Sequence, residues 1–287
     1  MDGVVRRSGR KTIGAVIQAR TSSTRLPGKV LFSLPYGSKL TVCEHIIRRL
    51  KKAESIDKII MATTLNPDDD KIVDIAERSK ILSYRGIEND VLSRLFEAAR
   101  LYNLDEIVRI TSDNPCLDCS LVDATVRAHL DEGGDYTMTQ NYPTGLNIEV
   151  VSFEALTAAY KDAKQPGQRE HVTPYIREHD DVFRISVKEA PKIHRNPNIR
   201  VTLDTPEDYA LLNCVFGFLY EEDNYFGVEE LVSLYKEKPW LADINRKVLQ
   251  KKSRPADTLE DELEEAIHML ELQELNKAGE LLASHLK

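Results

Sequence analysis

No stretch of the 287-residue chain approaches the roughly 18 consecutive apolar residues of a membrane span. The basic N-terminus MDGVVRRSGRK runs into a short apolar segment that soon meets Gln18 and Arg20. It reads as a flexible leader over residues 1–11, not a secretion signal, and a cytoplasmic location is the expectation. Cysteine is scarce: Cys43, Cys116, Cys119 and Cys214. Cys116 and Cys119 form a C-x-x-C, but a structural zinc site wants a second such pair or histidines at ligand spacing, and neither is present. Reduced thiols packed at a strand–helix junction are the expectation, with metal or redox use as the alternative. Basic excess is missing too. The formal net charge is −8 and the isoelectric point near 5.5, which argues against a non-specific nucleic-acid binder. No internal repeat and no Ser-His-Asp arrangement stand out.

What is present alternates between strand and helix. IGAVIQA is a continuous apolar run with β-branched residues, the mark of a strand buried on both faces. LTVCEHIIRRLKKA has helical spacing at Val42, Ile46, Ile47 and Leu50. IDKIIMATT, ILSYRG and DEIVRIT read as further strands. NPDDDKIVDIAERS reads as a helix opened by Pro67 and acids, NDVLSRLFEAARLYN as one capped by Asn89 or Asp90, and SLVDATVRAHLDEGG as one stopped at Gly133-Gly134. Four successive βα units predict an α/β fold with a doubly wound, mostly parallel sheet that binds ligands at the carboxyl ends of its strands. DYTMTQ, LNIEVVS, FRISV and IRVTL read as later strands, with one internal crossing or a small antiparallel flap among them. The catalytic domain is expected over 12–250, with Ser253-Arg254-Pro255 as a linker. Residues 256–287 are expected to form a helical C-terminal extension, apolar at Leu259, Leu263, Ile267, Leu270, Leu275, Ala278, Leu282 and Leu286, with Thr258 and Asp261 as a capping box. This tail packs either on the core or on a second subunit, and a homodimer is expected.

The first turn carries the strongest chemical signal. Arg20, Arg25 and Lys29 follow the first strand, and Pro27-Gly28 turns the chain so that the three converge. From Gln18 to Leu40 there is not one Asp or Glu. Cations without local counter-charge point to an anion site. It is not a P-loop, because Gly28-Lys29 is followed by Val30 and the first glycine position is Ser23. Nor does a G-x-G-x-x-G follow the strand. Arginine offers phosphate a planar fork and lysine a compact charge.

The segment QARTSSTRLPGK resembles the N-terminal signature of the sugar-acid cytidylyltransferases, the family of the 3-deoxy-manno-octulosonate and acylneuraminate enzymes, in the branch of the spore coat polysaccharide biosynthesis protein F. ATTLNPDDD, GIENDVLSR, RITSDNPCLD, YPTGLNIEV, REHVTPYIREH and VTLDTPEDY match in order, together spanning about residues 13–245. The resemblance implies a Rossmann-like, GT-A-like nucleotidyltransferase fold. It implies that the first loop, through Arg20, Ser23, Arg25 and Lys29, embraces the triphosphate of CTP. Thr63, Thr64, Asp90 and Arg94 would serve the base, with helix capping as the alternative role for Asp90 and a solvated face for Arg94.

Two acids sit at the ends of expected strands: Asp113 after EIVRIT and Asp204 after IRVTL. Mg²⁺ takes a few hard oxygen ligands and completes its shell from phosphate and water, and the family assigns both acids to that metal. Asp208 is either a helix cap or a further ligand. Arg20, Lys29 and Asp113 are the expected catalytic groups. The acceptor pocket is expected from Asn147, Glu149, Arg169, Glu170, His171 and Tyr175. Arg169 would pair with an acidic acceptor, and His171 is either structural or a proton acceptor. Lys192, His194, Arg195 and Arg200 are further basic candidates. The expected activity is transfer of CMP from CTP to a sugar acid, or to a phosphorylated or phosphonate-bearing acceptor, for surface polysaccharide or glycoconjugate synthesis. Another nucleotide, or a glycosyltransferase of similar build, is the alternative. The expected ligands are CTP and a small acidic acceptor, with no nucleic acid or membrane partner.

Overall fold

The computed structural model describes residues 10–222, 224–249 and 259–284. The first half delivers the expected alternation: β1 (Ile13–Gln18), α1 (Val42–Leu50), β2 (Lys58–Thr64), α2 (Asp70–Arg78), β3 (Leu82–Gly86), α3 (Val91–Leu101), β4 (Glu106–Thr111) and α4 (Cys119–Glu132). Then come β5 (Tyr136–Gln140), β6 (Glu149–Ser152), α5 (Phe153–Asp162), α6 (Pro166–His171), α7 (Pro174–Arg177) and β7 (Ile185–Glu189). The chain continues with α8 (Pro206–Leu219), α9 (Val228–Glu237), α10 (Leu241–Ile244), α11 (Leu259–Leu272) and α12 (Asn276–Ala283). The helix starts follow local chemistry. Thr41 and Glu44 cap α1 reciprocally, Asp90 caps α3, and Thr205 with Asp208 caps α8 behind Pro206. Helix α4 ends where Gly133 takes φ 58°.

The seven strands form one sheet in the order β3-β2-β1-β4-β6-β5-β7. All lie parallel except β6, which runs antiparallel between β4 and β5. The antiparallel element is therefore a strand inside the sheet, not a flap at its margin. IRVTL does not join the sheet. It stays extended and makes a single parallel bridge, Thr144 to Arg200, because Leu203 N–H donates instead to Asp113 O (2.8 Å).

Alternate residues of the central strands face opposite helical layers. Ala15, Ile17, Met61, Val108 and Ile110 pack with residues of α1, α2, α4, α8 and α9. Val16, Ile60, Ala62 and Ile107 pack with residues of α3, α5 and α7. Each fully buried Ile, Val or Leu contributes about 1.5–3 kcal/mol, so the core fixes which strand ends meet. Cys116 lies in the first core and Cys119 opens α4. Burial pushes the Cys116 thiol up to about 12, which keeps it protonated and a poor nucleophile or ligand.

Arg10 and Lys11, within the expected leader, pair with Asp57 and Glu106. The rest of the leader, the Ser253–Pro255 linker and Thr258 lie outside the described residues. Helices α11 and α12 pack on each other, and Lys247 reaches Glu274 of the tail at 2.9 Å. Among the described residues, no helix is long and apolar enough to cross a membrane.

Candidate active site

The carboxyl ends of β1 and β4 open into a cavity of about 460 Å³. The loop after β1 forms one wall. Gly28 sits at φ 70°, a left-handed conformation that suits glycine, and delivers Lys29 into a single 3-10 turn. The loop is tied down from beneath. Asp69 accepts from Thr21 N (2.8 Å), Thr21 Oγ1 (2.6 Å) and Thr64 Oγ1 (2.5 Å). Burial pushes the Asp69 carboxyl up, but the bonds from Thr21 and Thr64 outweigh it and hold it below the usual carboxylate range. Its stabilisation is therefore complete above about pH 4 and lost as the pH falls through the lower folded value. Asp69→Ala is expected to cost about 2–3 kcal/mol in urea unfolding, the worth of hydrogen bonds to a buried charge. It should also weaken nucleotide binding, by calorimetry, because the loop loses its anchor.

Three segments meet at Lys29. Its Nζ donates to Asp113 Oδ2 (2.9 Å), Asp204 Oδ1 (2.8 Å) and Leu203 O (2.6 Å). Arg25 and Arg200 reach Asp204 Oδ2 at 3.0 and 2.8 Å. Asp208 is buried, takes the other edge of Arg200 at 3.0 Å and receives the backbone N–H of Asp204 and Thr205. Asp208 thus buttresses the site from behind, which settles its role as a cap. Burial lowers the Lys29 pKa, but Asp113 and Asp204 outweigh it and hold the ammonium above its ordinary range. Burial likewise raises Asp204, but Lys29, Arg25 and Arg200 hold it below the usual carboxylate range. Lys29 and Asp204 are therefore both charged at neutral pH.

The cavity lining carries five cations (Arg20, Arg25, Lys29, Arg94 and Arg109) against three carboxylates (Asp113, Glu170 and Asp204). Arg20 and Arg109 also pair with carboxylates outside that lining, Glu88 at 3.7 Å and Glu149 at 2.7 Å, so the cations are compensated at rest and a polyanion would take them over from these partners. Ser23 and His171 line the same space, so Arg20, Ser23, Arg25, Lys29, Arg94, Asp113, Glu170, His171 and Asp204 are brought together. Glu170 and His171 face inward because the chain reverses just after them. Val172 takes φ 71°, ψ −58°, and Thr173 N–H donates to His171 O at 2.8 Å. This is the strained form of γ-turn, on a β-branched residue, beside the cavity.

Other expected residues lie elsewhere. Thr63 and Thr64 are fully buried at the end of β2 and do not line the cavity; Thr64 serves the Asp69 anchor. Asp90 caps α3 and pairs with Arg169 at 2.5 Å, while Arg169 also donates to Tyr160 O. That pair satisfies both charges and lines a neighbouring cleft, so Arg169 is not presented to the main cavity. Asn147 and Glu149 line a smaller annex. Tyr175 packs in the second core beside His179 and Phe183. Arg195 pairs with Glu189, and Lys192 and His194 do not reach the cavity. Arg200 is committed to Asp204 and Asp208. Sequence reasoning missed Arg109, Thr144, Gly145 and the anchor Asp69. Gly145, at φ +105°, lies where a Cβ would stand 3.0 Å from Thr202 N, so the TG step of YPTGLN was the available signal.

The donor set fits a hard divalent cation. Carboxylate oxygens from Asp113 and Asp204 converge within 3 Å of one nitrogen, and two such oxygens beside phosphate and water suffice for Mg²⁺. A cationic loop and paired acids at the carboxyl end of a doubly wound sheet suit the binding of a nucleotide polyphosphate and transfer at phosphorus. The sequence profile of the cytidylyltransferases matches residues 15–242. The chain belongs to that family and is a CTP-dependent nucleotidyltransferase. The uncharacterized protein MJ1063 of Methanocaldococcus jannaschii is 38% identical over 250 residues, covering 86% of this chain and 99% of its own. The spore coat polysaccharide biosynthesis protein SpsF of Bacillus subtilis is 34% identical over 226 residues, covering 78% and 94%. Among solved structures, a cytidylyltransferase from Leptospira borgpetersenii aligns with a TM-score of 0.76 at 29% identity, over 84% of this chain and 100% of that one.

Proposed function

We propose that the chain transfers CMP from CTP to a sugar acid or related small acceptor in surface polysaccharide synthesis, with Mg²⁺ held by Asp113 and Asp204. The observation that carries this reading is the meeting of Lys29, Asp113 and Asp204 from three distant segments, with Arg20 and Arg25 beside them. Arg20, Ser23, Arg25 and Lys29 bind the triphosphate, and Arg94, which lines the same cavity, serves the nucleoside. An acceptor oxygen attacks the α-phosphorus in line. The bond from that phosphorus to the bridging oxygen breaks, pyrophosphate leaves, and the hydroxyl proton passes to Glu170, His171 or water. Positioning and neutralisation of developing charge supply most of the rate. When bound, the metal adds Lewis-acid stabilisation of the polyphosphate. The similarity to a spore coat polysaccharide protein supports the biosynthetic assignment.

The test is pyrophosphate release with Mg²⁺, run with each of the four nucleoside triphosphates against sugar acids, phosphosugars and phosphonates. Turnover is expected with CTP and a sugar acid. Turnover with UTP or GTP but not CTP would refute the nucleotide assignment.

A further inference from the structure

Asp204 is held by a chain of hydrogen bonds that begins behind the cavity, at Asn245. This residue follows α10, whose Leu241 is planted in the first core. Asn245 is buried. Its Nδ2 donates to Asp208 Oδ1 (2.8 Å) and to Arg200 O (3.1 Å), so both amide protons are used. Turning the amide over would set its oxygen against two other oxygens, which fixes the orientation.

Two routes lead from there to Asp204. In one, Asp208 Oδ2 accepts from the backbone N–H of Asp204 at 2.9 Å and fixes the turn that carries the acid. In the other, Arg200 grips Asp208 through Nε and Nη2, each at 3.0 Å, and Nη2 also donates to Asp204 Oδ2 at 2.8 Å. Asp208 Oδ1 accepts from Asn245 and from Arg200 Nε. Without the amide this buried carboxylate loses a donor and turns or admits water, and the guanidinium plane that rests on it turns too. Asn245 is neutral, so it steadies the pair without competing for Asp204. Further along, Leu249 O accepts from Arg25 Nη1 at 3.3 Å, while Arg25 Nη2 stands 3.0 Å from Asp204 Oδ2. The segment after α10 thus backs the Asp204 carboxylate through two arginines.

We infer that Asn245 is a positioning residue for Asp204: through Asp208 and Arg200 it aims the Asp204 carboxylate at the metal on the polyphosphate, which makes the segment after α10 part of the active site. The consequence for metal binding rests on the assignment of Mg²⁺ to Asp113 and Asp204; the hold on Asp204 itself does not.

Asn245→Leu keeps the volume and removes both donors. In the full chain with CTP, Mn²⁺ affinity read by electron paramagnetic resonance, corrected for Mn²⁺ bound by CTP alone, is expected to fall about 10–100-fold, the scale of losing a group that orients a metal ligand. Asn245→Ser keeps one donor and should fall between; it carries the comparison if Asn245→Leu does not fold by urea unfolding. Val232→Ala, in the first core and outside this network, lowers the urea midpoint but should leave the affinity unchanged, as a merely structural loss would. The second readout is hydrogen exchange without metal. The Arg200 Nε–H and Asp204 N–H should exchange at least about tenfold faster in the Asn245 variant than in Val232→Ala, with urea added to match their stabilities. Either readout unchanged in a folded Asn245 variant overturns the inference, and so does an equal effect in Val232→Ala. A wild type that fails to bind Mn²⁺ with CTP refutes the metal assignment instead. Hydrogen exchange, which needs neither metal nor turnover, then decides whether Asn245 holds Asp204.

Discussion

Lys29→Gln is expected to tighten the binding of a divalent cation by at least about tenfold in the absence of nucleotide, while slowing turnover by about 10²–10³. In the structure the Lys29 ammonium stands where a metal held by Asp113 and Asp204 would stand, touching both carboxylates within 3 Å. A cation and a metal cannot share that point. Unit charges about 4 Å apart interact by about 4 kcal/mol at an effective dielectric of 20, so the ammonium is a strong competitor. Binding of CTP offers the ammonium new phosphate partners and frees the acids. Metal and nucleotide should therefore bind synergistically in the wild type. With glutamine the competitor is gone, so Mn²⁺ followed by electron paramagnetic resonance should bind tighter alone, and the synergy with CTP should shrink. The variant should be less stable without metal, by about 3 kcal/mol, because two carboxylates lose a largely buried partner. Added Mn²⁺ should recover part of that loss. Unchanged or weaker Mn²⁺ binding by a folded Lys29→Gln protein would rule out the competition.

The parts of this site that were legible in the sequence were those written locally. The cationic loop stood out because no acid occurs from Gln18 to Leu40, and β1, β2 and β4 announced themselves as apolar runs between helical periods. Asp113 and Asp204 stood out as acids just past the expected strands EIVRIT and IRVTL, the second directly before a helix-start signal. What the sequence hid depends on pairings across long separations. Arg109 reads as an oddity within an apolar strand until β6 is inserted antiparallel beside β4 and sets Glu149 opposite it. Because β6 runs backwards, its first residue lies at the carboxyl end of β4, level with the cavity. Arg169 reads as a free cation until α6 brings it against Asp90, 79 residues earlier. IRVTL has strand composition, but the backbone it meets is the loop at Asp113 and Thr144, not a strand edge. Thr63 and Thr64 were attributed to the base by resemblance. Both are fully buried, and Thr64 donates to Asp69, which gives it a structural role in holding the first loop.

Asp113→Asn and Asp204→Asn are each expected to lower turnover by about 10³ or more, since on the proposed metal assignment each removes one of two hard ligands, and each removes a formal charge from the site. Their effects on stability should differ, and the difference tests the geometry independently of catalysis. The Asp113 side chain is 25% exposed and its ionic partner is Lys29, so Asp113→Asn should cost less than about 1 kcal/mol, as for a solvated pair. The Asp204 side chain is 15% exposed and takes Lys29, Arg25 and Arg200 together. Asp204→Asn leaves three cations facing fewer anions and should cost about 2–4 kcal/mol in urea unfolding. The same variant should lose affinity for Mn²⁺ in the presence of CTP, whereas a purely structural acid would leave that affinity intact in the folded fraction. Near-normal rates in both variants would remove the metal from Asp113 and Asp204. Equal stability costs would mean that Asp204 is not the hub on which the loop, the metal site and helix α8 converge.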